Sequence, residues 1–168
     1  MGRGSRTADT RKSTTTNSVQ LQLSLPATAE APRRVRRAVD AEPRLGDPDL
    51  LFMLRLLLTE LVTNAVKHAG LRDDERVEVL VEARDGVVSV RVSDRGTGPA
   101  ALPAPQGPDR ASGRGLFLVT AMADRWGLEV ARGTTVWFEL DLDPAGRPAN
   151  FTASLRRAAE ASSRVRVG

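Results

Sequence analysis

Glu60 and Asn64 stand four residues apart in ELVTNAVKHAG, a segment of helical spacing, so their side chains stack one above the other on a single helix face. His68 extends the row by one more turn. A carboxylate and an amide placed this way suit phosphate chemistry. The amide oxygen of Asn64 fits Mg²⁺, which takes oxygen donors, keeps much of its water and shares phosphate oxygens. Glu60, one turn earlier, has the chemistry to orient or deprotonate a group that attacks a terminal phosphate. On spacing alone a solvent-facing glutamate is the commoner reading of Glu60, and only the groups described next shift it. His68 lacks partners at metal-ligand spacing, and a lone histidine on a helix is ordinarily structural.

Asp94 closes an alternating run and is followed at once by Gly96 and Gly98, which free the backbone to turn. A carboxylate there can accept from the exocyclic amine of adenine while the glycines let a base approach the chain. A tight turn with an aspartate cap is the plainer alternative. Gly113-Arg114-Gly115 precedes a helical run, and free N–H groups at a helix start attract phosphate. Arg114 and Arg110 add positive charge suited to a γ-phosphate. Thr134 and Thr135 enter the last strand, where threonine is common anyway; a Thr135 hydroxyl near adenine makes sense only in company with Asp94. No GxxxxGK[ST] phosphate loop and no strand-initiated GxGxxG is present.

The elements that must hold these residues follow from periodicity. VQLQLSL, from Val19 to Leu25, alternates as a half-buried strand does. Thr28 is placed to cap a helix with Val35, Ala38 and Val39 inward and Arg33, Arg34, Arg36 and Arg37 outward. That arginine face reads as a solvated surface or as a dock for an acidic partner. Asp47-Pro48 makes a cap and first turn for a long helix to about Ala69, stopped at Gly70. RVEVLVEAR and VVSVRVSD, joined by Asp85-Gly86, form a hairpin. Residues 96–115 turn to Gly, Pro, Ala and Ser, the composition of a functional loop or lid. A helix from Leu116 to Arg125 should end near Gly127, and LEVAR and TVWFELDL close the domain as a second hairpin.

The charge distribution bears on partners. Residues 1–20 carry four basic and one acidic side chain, residues 144–168 five and one, and residues 21–143 sixteen and nineteen. The basic surplus therefore sits on segments expected as tails: a disordered one at 1–18, and one at 144–168 with a short helix around Leu155 to Ala161. A basic face on the folded domain, 19–143, is not expected, which argues against nucleic acid as partner. No apolar run reaches membrane-spanning length, and no secretory pattern follows the N-terminal arginines, so a cytoplasmic location is expected. With no cysteine, disulfide and thiolate chemistry are excluded.

In order, ELVTNAVKHAG, SDRGTGP, SGRGLFLV and GTTVWFEL resemble the N, G1, G2 and final threonine motifs of the GHKL (histidine kinase/gyrase-type) ATP-binding superfamily, and the compact arrangement resembles its anti-sigma regulatory factor serine/threonine kinase branch. The resemblance covers about residues 19–143. It implies Glu60 as catalytic base, Asn64 as Mg²⁺ ligand and Asp94 as adenine partner, with Gly96 and Gly98 lining the base pocket. It further implies Gly113, Gly115 and Leu116 at a hinged ATP lid, with Arg110 and Arg114 near the phosphates and Thr135 beside the adenine; His68 falls where branch members often carry histidine. The implied fold is α+β, a two-layer α/β sandwich with a mixed sheet covered by helices on one face. The implied activity is phosphate transfer from ATP to an anti-anti-sigma antagonist by a kinase that also sequesters a sigma factor, commonly as a homodimer. A non-catalytic, nucleotide-dependent binding module is the alternative, favoured by the Pro- and Ala-rich lid.

Overall fold

The computed structural model describes residues 19–68, 74–96 and 114–164, apart from the side chains of residues 68, 114, 115 and 161–164. In order, these form β1 (Val19–Pro26), α1 (Ala31–Asp40), a 3-10 turn (Pro43–Leu45), α2 (Pro48–His68), β2 (Arg76–Arg84), β3 (Val87–Asp94), α3 (Arg114–Met122), β4 (Arg125–Val130), β5 (Thr134–Asp141) and α4 (Phe151–Arg164). The expected disordered segment 1–18, the glycine stop at Gly70 and most of the expected lid lie outside the described residues.

The strands make one sheet in the order β1-β2-β3-β5-β4. Register puts Val81, Val90 and Phe138 side by side on one face, and these are buried with Val35, Leu54, Leu57 and Leu58 of the helices in a single core. Each such side chain contributes about 1.5–3 kcal/mol by leaving water. The two-layer sandwich is as expected, but the mixed sheet is not: all four pairings are antiparallel. The reason is topological. β3 and β4 do run parallel across the α3 connection, but β5 hairpins back from β4 and inserts between them, so among the described residues no parallel pair is hydrogen-bonded.

Local chemistry explains most boundaries. The Asp47 Oδ1 accepts the Leu50 N–H at 2.9 Å, capping α2 as its Asp-Pro start implied. Asp85 (φ 53°) and Gly86 (φ 78°) both adopt positive φ, as a two-residue hairpin requires. Thr28 does not cap α1; its carbonyl accepts from Ala31, and α1 starts without a side-chain cap. Gly127 does not end a helix. It lies inside β4, where an added β-carbon would come within 2.6 Å of the Trp137 indole, so the glycine is the shelf on which that ring rests. The C-terminal segment expected as a tail is a docked helix, α4, with Ser154 fully buried.

The sheet has two distinct ends. At one, Asp94 pairs with Val77 and Thr134; at the other, Val87 pairs with Arg84 and Asp141. α4 follows β5 at the Asp141 end, where Ala149 N–H donates to the Asp141 carbonyl at 2.8 Å, and its Phe151 meets Phe52 in the second turn of α2 edge-on, with centroids 6.1 Å apart. α2 therefore starts at the Asp141 end. Its 21 residues rise about 30 Å, the length of a strand of this sheet. The turns bearing Asn64 and His68 thus reach the Asp94 end. α3 runs the opposite way: Asp124, two residues beyond its end, is bonded to Glu139 and Asp141 of β5, so its first turn points to the Asp94 end.

Candidate nucleotide-binding site

α2 changes character along its length. Counting about 100° per residue, Asn64 lies about 20° around the axis from Leu57 and Glu60 about 60° from it. Leu57, with Met53, Leu54 and Leu61, is buried in the core. Asn64 and Glu60, in nearly the same sector but further along, are only partly buried. The arc that is apolar over the sheet's middle thus becomes polar as α2 approaches the Asp94 end. Helical stride alone does this: each step of four drifts about 40°, carrying the Glu60 row from the edge of the apolar stripe into it.

Asp94 belongs to the same layer. It continues the alternation of Val88, Val90 and Val92, so its carboxylate lies on the helix-covered face, half-buried at the end of β3. The Gly96 N–H donates to Oδ1 at 3.0 Å, and the Thr134 N–H donates to the same carboxylate. Burial pushes the Asp94 carboxyl above its ordinary pKa, opposed by those two N–H groups and reinforced by the charge of Glu75. A carboxylate has about four lone-pair sites. Two donors hold this one in place, which leaves acceptor capacity for an incoming amine.

Gly133 locks the corner. Its φ is +129°, and a β-carbon there would overlap the Asp94 carbonyl oxygen and crowd the Arg95 Cα. β5 can therefore start against Asp94 only with glycine at 133, and that contact brings the Thr134 N–H to the carboxylate. The structure separates Thr135 from this group. Thr135 pairs with Ser93, and their hydroxyls are 2.9 Å apart on the uncovered face of the sheet, opposite Asp94. Gly133 and Thr134, rather than Thr135, are thus the residues at the start of β5 that meet Asp94. Parity contained the signal: Val136, Phe138 and Leu140 alternate on the covered face, and Thr134, not Thr135, continues that series.

Of the other expected residues, Gly96 is placed by its bond to Asp94, and Leu116 is partly buried against the core in α3. Gly115 and Arg114 form the first turn of α3. Gly98, Arg110 and Gly113 lie outside the described residues, as do the side chains of His68 and Arg114. Among the described residues no cluster of three or more acidic or histidine side chains would hold a metal ion by itself. The donor present is one amide oxygen, Asn64, and this fits Mg²⁺ that takes its remaining ligands from phosphate and water. No described helix is long and apolar enough to cross a membrane.

Comparison with known proteins agrees with this geometry. The family model described as a histidine kinase-like ATPase domain matches residues 24–140. An uncharacterized protein of Streptomyces coelicolor is 37% identical over 92 residues, 54% of this chain and 84% of that protein. The crystal structure of the RsbU and RsbW domains of Rv1364c from Mycobacterium tuberculosis is similar with a TM-score of 0.54 and 26% identity, covering 78% of this chain but only 33% of that one. The GHKL-type motifs, the antiparallel sheet under its helices and a family match over most of the length agree, and the chain belongs to the histidine kinase-like ATPase domain family.

Proposed function

We propose that this chain is an ATP-dependent serine/threonine protein kinase of the anti-sigma type, acting in the cytoplasm on an anti-anti-sigma antagonist and holding a sigma factor. The observation that carries the nucleotide part is Asp94: a half-buried carboxylate, fixed by two backbone N–H groups, at the end of the sheet that the polar turns of α2 reach. Family membership implies ATP binding, and the likeness to the structure containing the RsbW domain of Rv1364c supports the anti-sigma reading.

In this reading Asp94 accepts from the exocyclic amine of adenine and Gly96 leaves room for the base. The N–H groups at the start of α3 serve the phosphates, and Arg110 and Arg114 supply positive charge suited to them. Mg²⁺, held by Asn64, supplies charge neutralisation at the phosphate oxygens. Glu60 takes the proton from a serine or threonine hydroxyl of the antagonist. The hydroxyl oxygen bonds to the γ-phosphorus, the bond from that phosphorus to the β–γ bridging oxygen breaks, and ADP leaves. The arginines of α1, Arg33, Arg34, Arg36 and Arg37, are exposed and make no ion pair among the described residues, and they suit an acidic protein partner. Homodimerisation belongs to the same reading.

The test is transfer of γ-labelled phosphate from ATP–Mg²⁺ to candidate antagonist proteins. Labelling of a serine or threonine that disappears with Glu60→Ala supports the proposal. ATP bound intact over long incubation, with nucleotide-dependent capture of a partner, would instead make the chain a binding module.

A further inference from the structure

α4 lies beyond the span that matches the family, residues 24–140, and its contacts are concentrated on one target. α3 ends at Met122, and the last carbonyls of any helix lack intrahelical partners. Here α4 supplies partners for two of them. Ser154 Oγ donates to the Met122 carbonyl at 3.1 Å, and Arg157 Nε donates to the Ala121 carbonyl at 2.9 Å. The guanidinium also donates to Ser154 Oγ at 2.9 Å, so the two side chains act as one unit. A cation is thereby placed at the negative end of the α3 dipole. The start of α4 is fixed in turn: Asn150 Nδ2 donates to Asp124 Oδ1 at 2.7 Å, while Asp124 Oδ2 accepts the Asp141 N–H at 2.8 Å. Ser154 is 1% exposed, the sole buried polar residue among those described, and nothing in the proposed reaction uses it.

We infer that Ser154 and Arg157 are positioning residues for the phosphate half of the nucleotide site. α3 is a rod of nine residues, about 13 Å long, and its first turn contains Arg114 and Gly115. Gripping its far end to a helix tied to β5 fixes where that first turn points. The adenine half is built from β3 and the start of β5, which α4 does not hold. The clamp therefore bears on phosphates and not on the base. The inference rests on the nucleotide-site reading given above.

The experiment measures affinities of the full chain for ATP–Mg²⁺ and for adenosine in wild type, Arg157→Ala, Ser154→Ala and Arg157→Lys. Loosening one end of a packed element changes coupling at the other by an amount that corresponds to about a 3- to 10-fold loss of ATP affinity. That loss is expected in both alanine variants, with adenosine affinity unchanged and with partial recovery in Arg157→Lys, which keeps a cation at the carbonyls. Equal weakening of both ligands would mean a merely structural role, and unchanged ATP affinity would mean no role; either overturns the inference while leaving the nucleotide site standing. A wild-type chain that binds neither ligand would overturn the site reading and this inference with it. Hydrogen exchange of α3 amides gives a second measurement: faster exchange in folded Arg157→Ala is expected, and unaltered exchange would contradict the clamp.

Discussion

Aspartates at the two ends of the sheet live under opposite conditions. At the far end, Asp141 accepts two bonds from Arg125, which hold its carboxyl below the usual range, and Asp143 is lowered by its bonds from Arg147. Asp124 spends one oxygen on Asn150 and the other on a strand N–H. At the near end, Asp94 is pushed up by burial, has no cationic partner among the described residues, and is anchored by backbone N–H groups alone. The far end uses its carboxylates as structure. The near end keeps one carboxylate under-committed, which is what the proposed adenine contact needs.

The largest break between the ends should come from Glu60→Ala. Phosphotransfer to the antagonist is expected to fall roughly 10²- to 10⁴-fold with ATP affinity retained, as read by labelled phosphate. Asp141→Asn should leave transfer intact.

Two of the positive-φ glycines, Gly133 and Gly146, sharpen the contrast next. Gly133→Ala forces a side chain into the Asp94 backbone, and urea denaturation should show a loss of about 1–3 kcal/mol. Gly146, at the far end with φ +80° and open space around it, should lose less on the same substitution, within about 1 kcal/mol.

The pH dependence of stability should differ in sign. Asp94 is raised in the folded state, so its contribution is full below the unfolded carboxylate pKa and is lost as pH rises through the folded value. Asp141 and Asp143 are lowered, so theirs is present above the unfolded pKa and lost as pH falls through the folded values. Thermal denaturation of Asp94→Asn should therefore match or exceed wild type at neutral pH. Asp141→Asn should be the weaker there, with the difference closing in acid.

The smallest effect is expected at Thr135. Because its hydroxyl bonds Ser93 on the uncovered face, Thr135→Val should change ATP affinity by less than about twofold. A larger loss by competition assay would mean the uncovered face takes part.

The features readable in advance were those set by neighbours in sequence. Asp47-Pro48 announced α2, Asp85-Gly86 announced the β2–β3 hairpin, and Asp94 before two glycines announced a carboxylate at a strand end. What escaped reading depended on distant partners. Gly127 looks like a helix stop until the Trp137 indole is known to lie on it. α4 looks like a basic tail because the carbonyls that Ser154 and Arg157 serve are more than thirty residues away. Thr134 and Thr135 differ only by which face of β5 they take, and residue type does not distinguish them. Parity with Phe138 does.

The proposed nucleotide site turns on Asp94, and calorimetric titration of ATP–Mg²⁺ into wild-type and Asp94→Asn protein tests it most directly. Saturable binding to the wild type, weakened roughly 10- to 100-fold in the variant with its fold intact, is the predicted result. Equal affinity in the two proteins, or no binding to well-folded wild type, would contradict it.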